Sequence, residues 1–356
     1  MFIYLIDLFS ISFSMPINSY ICLMKFKFTI GLLFCAVLGF AQDIHFSMYN
    51  LSPLSVNPAN TGNYRGDWRV MGNYRSQWKE ISKAYNTFSV GGDMNFYPSN
   101  QNIAAGIFFI NDKSGGNLSI NKIFISGAFH KKTRGYKLSV GIQPGIVIKS
   151  IDFNSNTFPN QLNWNTGSFD NTLQNNEPFI RQRTIYFDLN AGFNISKRMK
   201  KIEPEIGGSF FHLTNPNESF YANQNKLTLR QIYFASLRCF INKKIAVVPN
   251  TVVNITTKAN DWIFGLNLEY TLSKDVFFEN KVFGGFMWRK GVQRISDAAI
   301  VNLGMKFKNY TIGFSYDINV SPLKTSTGLK GAYEIALIYT GKSTRIIKKQ
   351  IPCDRY

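Results

Sequence analysis

From Gly66 almost to the C-terminus, apolar and polar residues alternate one by one in long runs. Trp68, Val70, Gly72 and Tyr74 form one set, with Arg69, Asn73 and Arg75 between them. Leu138, Val140, Ile142, Ile146 and Ile148 alternate with Lys137, Ser139, Gly141, Gln143 and Lys149. Leu266, Leu268, Tyr270 and Leu272 alternate with Asn267, Glu269 and Thr271. A helix would place its apolar residues three and four apart, so a period of two means strands. About fourteen such segments are predicted, near 66–78, 84–97, 101–112, 117–131, 136–151, 183–196, 202–213, 230–242, 245–257, 260–273, 276–289, 296–308, 310–320 and 330–341. Strands of soluble proteins average roughly five or six residues, whereas tilted membrane strands need about nine to eleven within the bilayer. These segments have the second length. An even number of apolar-out, polar-in strands predicts an antiparallel transmembrane β-barrel, because only a closed sheet satisfies every backbone group in lipid.

The connections give an independent test of the strand count. With both barrel ends in the periplasm, odd-numbered connections face outward and even-numbered ones inward. The long connections, 152–182, 214–229 and 321–329, follow strands five, seven and thirteen. Connections at even positions are short, as at Thr133-Arg134-Gly135, Asn242-Lys243-Lys244 and Asn309. Long outer loops and short periplasmic turns are the bacterial pattern. The same parity sorts the charge. Lys131, Lys132, Arg134, Lys197, Arg198, Lys200, Lys201, Lys243, Lys244 and Lys274 gather at the even turns, and Lys348 and Lys349 lie in a basic tail. Either this is ordinary solvated turn chemistry, or it is a basic periplasmic rim that meets cell wall or a partner protein.

The formal charge is +19, and removal of Lys25, Lys27 and Asp7 with a leader leaves +18. Such a balance points to nucleic acid, anionic lipid or an acidic polymer. No nucleic-acid-binding signature is present and an export signal argues against one, so anionic headgroups or cell-wall polymer fit better. That signal starts at Met24. Lys25 and Lys27 form a positive region, Phe28 to Phe40 an apolar one, and Gly39-Phe40-Ala41 a cleavage site. Residues 1–41 are therefore read as a signal peptide, with residues 1–23 an over-long start. After residue 41 no stretch has the roughly 18 uncharged apolar residues of a membrane helix. Cys239 and Cys353 remain in the mature chain, far apart and without metal spacing. Residues 42–65 do not alternate and are broken by Pro53 and Pro58. They are read as a short helix and turn plugging the mouth of a barrel that spans 66–341, with a basic periplasmic tail at 342–356.

Catalytic chemistry is hard to place. His45, His130 and His212 fall at separate points of this layout, and no nucleophile elbow, zinc motif or phosphate loop occurs. Asp93, Asp188, Glu203, Glu205 and Glu269 face the lumen by parity, where pairing with Arg69, Arg75 and Lys137 is the simpler role than catalysis. No cofactor and no enzymatic activity are expected.

Several stretches share features with one family. The mature start, with Asn57-Pro58 in NPANTG, matches a QDxHFSxY opening followed by NPAxxG. Asn73-Tyr74-Arg75-Ser76-Gln77-Trp78 is similar to NYRxQW, and Asp112-Lys113-Ser114-Gly115-Gly116 to a D-x-x-G tight turn. Tyr316-Asp317 and the Glu334 segment resemble a closing strand pair; Cys353 resembles a terminal C-P-x-aromatic, except that Pro352 precedes it here. Together these resemble the PorP/SprF family of type IX secretion and gliding-motility membrane proteins. The resemblance covers essentially the whole mature chain. It implies an outer-membrane barrel that helps secrete or anchor an adhesin-type surface cargo, and that couples to a periplasmic type IX component or a cell-wall-binding lipoprotein. It brings no catalytic residues. The alternative is a channel for a small solute, which requires an open lumen, whereas an anchor tolerates a plugged one. Bulk from Tyr85, Tyr97, Tyr186 and Phe211 favours the plugged form.

Overall fold

The computed structural model describes residues 44–80, 83–152, 157–164, 166–170, 172–174, 176, 181–221, 223–257, 260–274, 279–291, 296–322 and 324–341. Fourteen antiparallel strands close into one barrel. They are β1 (Trp68–Gln77), β2 (Tyr85–Phe96), β3 (Asn102–Ser114), β4 (Leu118–Thr133), β5 (Tyr136–Ile151), β6 (Arg183–Lys197) and β7 (Ile202–Phe211). The second half comprises β8 (Arg230–Phe240), β9 (Ile245–Ile255), β10 (Asn260–Lys274), β11 (Glu279–Gly291), β12 (Ser296–Phe307), β13 (Tyr310–Asn319) and β14 (Lys330–Thr340). Each strand pairs with its sequence neighbours, and β1 closes the ring on β14 in a register running from Arg69↔Thr340 to Gln77↔Ala332. Closure leaves no sheet edge, which is what a lipid environment demands.

The alternation fixes the two faces. Leu303 and Ile125 are each 63% exposed, and Leu268 is 54% exposed, all on the outer wall. Ile107, Val140, Ile142, Phe286 and Leu337 join them. So wide an apolar surface far exceeds what water-facing proteins carry, and a bilayer accounts for it. Aromatic side chains stack at both ends of this band: Trp68 and Tyr310 each on Tyr339 at one end, and Trp262 on Phe264 and Phe286 on Trp288 at the other. Such rings suit the interfacial zones. No helix among the described residues is long and apolar enough to cross a membrane.

All even-numbered connections leave from one end of the barrel, here called the turn end, and all odd-numbered ones from the opposite, loop end. At the turn end β4 and β5 are joined by Arg134 and Gly135, both at positive φ (46° and 84°). That backbone matches strand twist, and glycine adopts it without strain. At the loop end the 152–182 connection carries a small two-stranded ladder, Leu162–Asn163 with Ser168–Phe169. Beyond it, Thr172 donates from its hydroxyl and backbone N–H to Asp170, holding that carboxyl below its ordinary range.

The strand limits differ from the sequence reading at two sites of interest. β3 continues to Ser114, so Asp112 lies inside the strand, accepting from Thr87 and Ser114, and the tight turn begins at Gly115. β7 stops at Phe211 because His212 turns to positive φ (62°) and directs its ring to Asp188 at 2.8 Å.

Candidate functional site

The chain's own N-terminal segment lies inside the barrel, bonded to its inner wall. Three short helical turns, Tyr49–Leu51, Pro53–Val56 and Pro58–Asn60, satisfy part of its backbone internally. The rest must find partners on the wall, because buried main-chain groups left unpaired are costly. Lumen-facing side chains from strands all round the barrel supply them. Asn73 donates to the Leu51 carbonyl at 3.3 Å, and Gln143 to that of Leu54 at 3.3 Å. Ser209 donates to the Val56 carbonyl at 2.6 Å. A His130 ring nitrogen meets the Thr61 carbonyl at 2.7 Å, and the Gly62 N–H donates to Asp93 at 2.7 Å. Apolar anchors lie between these bonds: Met48, Leu51 and Leu54 pack with Met71, Phe108, Ile110 and Phe124, and Val56 packs with Phe211, Ile232 and Val252.

Two charged latches hold the ends of the segment. Towards the loop end, Arg75 (β1), Arg289 (β11), Asp317 (β13) and Glu334 (β14) meet around Ser47, and all five are buried. Glu334 accepts the main-chain N–H groups of Ser47 at 2.5 Å and Met48 at 2.8 Å. It also pairs with Arg75, whose other nitrogen reaches Asp317 at 3.1 Å. The Ser47 hydroxyl donates to Asp317 at 2.8 Å and accepts from both Arg75 and Arg289. Two guanidinium groups against two carboxylates leave the cluster balanced, which is the condition under which buried charge is tolerated. Towards the turn end, Arg69 grips Asp93 through two parallel bonds of 2.9 and 2.6 Å and also reaches the Asn60 carbonyl.

Asn57 is the pivot between the latches. Its side-chain Oδ1 caps the Pro58–Asn60 turn by accepting from Ala59 N–H at 2.8 Å. Its amide donates to the carbonyls of Phe193 (2.8 Å) and Gly208 (3.3 Å), one on each side of the β6–β7 seam. Glycine is required opposite it. A Cβ on Gly192 would lie 2.1 Å from the Asn57 oxygen, and one on Gly141 2.5 Å from the Pro58 carbonyl.

The residues singled out in the sequence thus lie in different parts of the barrel. Asn57, Pro58, Asn73, Arg75, Asp317 and Glu334 converge on the plug, while Asp112 is buried further round the wall. Tyr74 and Tyr316 face outward, and Tyr74 stacks near Tyr333. Trp78 and Gly115 sit at loop-end turns, Trp78 edge-on to Tyr85 at 5.0 Å. The basic residues gather at the turn end: Lys131, Lys132, Arg134, Lys200 and Lys201 are exposed, Arg198 pairs with Glu203 at 3.0 Å, and Lys197 lies 4.2 Å over the Tyr136 ring. Lys348 and Lys349 lie outside the described residues, as do the leader and the tail. Arg289 was not singled out in the sequence, and Ser47 entered only as part of the QDxHFSxY opening. Arg289 is visible there only as one more inward-facing polar residue. Among the described residues no cluster of three or more His, Cys, Asp or Glu could hold a metal ion.

Type IX secretion system membrane protein PorP/SprF is the family whose pattern matches residues 38–339, the strands and the plug together. The chain belongs to the PorP/SprF family. No curated protein matches it. Among solved structures it is similar to the Ralstonia pickettii toluene transporter TbuX, at 9% identity and TM-score 0.45, over 81% of this chain and 92% of that one. A Pseudomonas aeruginosa FadL homologue follows at 10% identity and TM-score 0.45, over 80% and 92%. The Pseudomonas putida toluene transporter TodX has 9% identity and TM-score 0.42, over 84% and 94%. Membership together with the lipid-facing wall gives this PorP/SprF protein an outer-membrane location and a place in type IX secretion.

Proposed function

We propose that this PorP/SprF barrel is a non-enzymatic anchor. It holds a secreted adhesin-type protein at its loop end, outside the cell, and engages an acidic periplasmic component of the type IX apparatus, or a cell-wall-binding lipoprotein, at its basic turn end. A leader cleaved after Ala41 delivers the chain. The observation that supports this reading is an N-terminal segment latched inside the barrel by main-chain bonds to both ends of the wall, with exposed Lys and Arg on the short turns. A barrel whose lumen is occupied in this way works through its two faces. Single exposed charges contribute little, but a cluster acts through a shared field that salt weakens.

The test replaces Lys197, Arg198, Lys200 and Lys201 by Gln, together with Lys348 and Lys349. The barrel is expected to assemble normally, judged by heat-modifiable gel migration. Capture of periplasmic partners should fall, and cargo should appear in the medium or stay inside. Normal assembly with unchanged capture and unchanged cargo display would refute the basic-rim reading and shift attention to the 152–182 loop.

A further inference from the structure

The contacts of the N-terminal segment give it a direction. Its first described residue, Ile44, accepts a hydrogen bond from Arg230, the first residue of β8 at the loop end. Ser47 meets Arg75, Arg289, Asp317 and Glu334, all in the loop-end halves of their strands. Leu51 and Leu54 reach Asn73 and Gln143 at mid-height. Asn57 and Pro58 reach Phe193 and Gly141, nearer the turn end. Thr61 and Gly62 meet His130 and Asp93, and Asn63 accepts from Lys137, the second residue of β5, at 2.6 Å. From there the chain passes Gly66, beside Gly341, and enters β1 at the turn end. The order is monotonic over the full depth of the lumen. A small cavity, lined by Ile44, Tyr49, Arg230, Ile232, Val252 and Asp261, opens beside the start of the segment.

We infer that the segment threads the barrel from end to end, so that Ile44 lies at the long-loop face, opposite the end where β1 begins and β14 finishes. The start of the described segment therefore belongs to the same end of the barrel as the 152–182 and 212–229 connections, the face that meets cargo on the reading above. Placing that face outside the cell rests on the orientation proposed above.

The experiment inserts a short epitope between Gln42 and Asp43 and, in separate chains, the same epitope at Gly167 and at Lys200. Antibody binding is measured on intact and on opened cells. The expected result is binding at 42 and 167 on intact cells, with 200 reached only after opening. If the epitope at 42 behaves like the one at 200, the threading is overturned. If 42 and 167 are both hidden and 200 is exposed, threading stands and the proposed orientation fails. Should the inserted epitope prevent assembly, Ile44→Cys, Gly167→Cys and Lys200→Cys in separate Cys239→Ser, Cys353→Ser chains, probed with a membrane-impermeant maleimide, give the same three-way decision.

Discussion

Glu334→Gln is the sharpest perturbation of the plug. The carboxylate performs two tasks at once: it neutralises Arg75 and it accepts the Ser47 and Met48 N–H groups. Glutamine keeps the shape and one acceptor oxygen, but presents an NH₂ group to one of the two main-chain donors. It also leaves Arg75 and Arg289 facing Asp317 with a net positive charge in the cluster, offset in part by Asp297, 3.5 Å from Arg289 and half exposed, and by Asp261. Removing one partner of a buried ion pair costs about 3–5 kcal/mol, and an unsatisfied buried donor about 1–3 kcal/mol. The two overlap, because both follow from the same lost negative charge, so a total of about 3–5 kcal/mol is expected. The assay is urea unfolding of the barrel refolded into vesicles, read by heat-modifiable migration, with planar-bilayer conductance as a second readout. Conductance should rise as the segment leaves the lumen. A loss below about 1 kcal/mol with unchanged conductance would show that water already hydrates the cluster and that the latch does not hold the plug.

Gly141→Ala and Gly192→Ala should each displace the Asn57-Pro58 turn and make the N-terminal segment sensitive to added protease, whereas Gly127→Ala, whose new methyl meets nothing nearer than 3.9 Å, should not. Asn57→Ala removes a cap and two bonds to strand carbonyls, and should cost roughly 1–3 kcal/mol in the same unfolding titration; a cost near zero would deny Asn57 its role at the β6–β7 seam. Leu268→Arg, on the lipid face, should cost about 2–4 kcal/mol, while Leu268→Phe should be tolerated; equal losses would mean that the outer wall does not face lipid.

The sequence shows the barrel clearly because the signal is local. Each strand declares its two faces through its own alternation, and the parity of loop lengths checks the count without tertiary information. The plug is visible only negatively, as a stretch that fails to alternate and holds two prolines. What it touches cannot be read, because the partners are scattered through the chain. Arg75 and Glu334 are register partners only once β1 closes on β14, across 259 residues. Their place in the cluster comes from closure, which periodicity does not encode. Arg289 shows why resemblance helps for some residues and not others. Inward polar residues are the rule in such a barrel, so an arginine at that position carries no local sign that it is fully buried. The end of β7 fails for the opposite reason: His212 could have continued the strand, and long-range bonds to Asp188 and Asn190 turn it away.

The bonding of the plug also bears on how such a barrel can work. A gate that opens in use is built from few contacts, since the elements that move are drawn from the least stable parts of a fold. Here the segment is held by main-chain bonds to side chains on opposite walls, by two ion clusters near its ends and by apolar packing between them. Releasing it would strand Arg75, Arg289, Asp317 and Glu334 with fewer partners and expose Met48, Leu51 and Leu54. Several of these costs are each of kcal/mol size, and they would fall together because the segment is continuous. A solute channel needs that release at every opening event, or a second path past the plug. An anchor needs neither. The energetics of the plug therefore weigh against a channel that must release it at each opening and agree with the anchor proposed above.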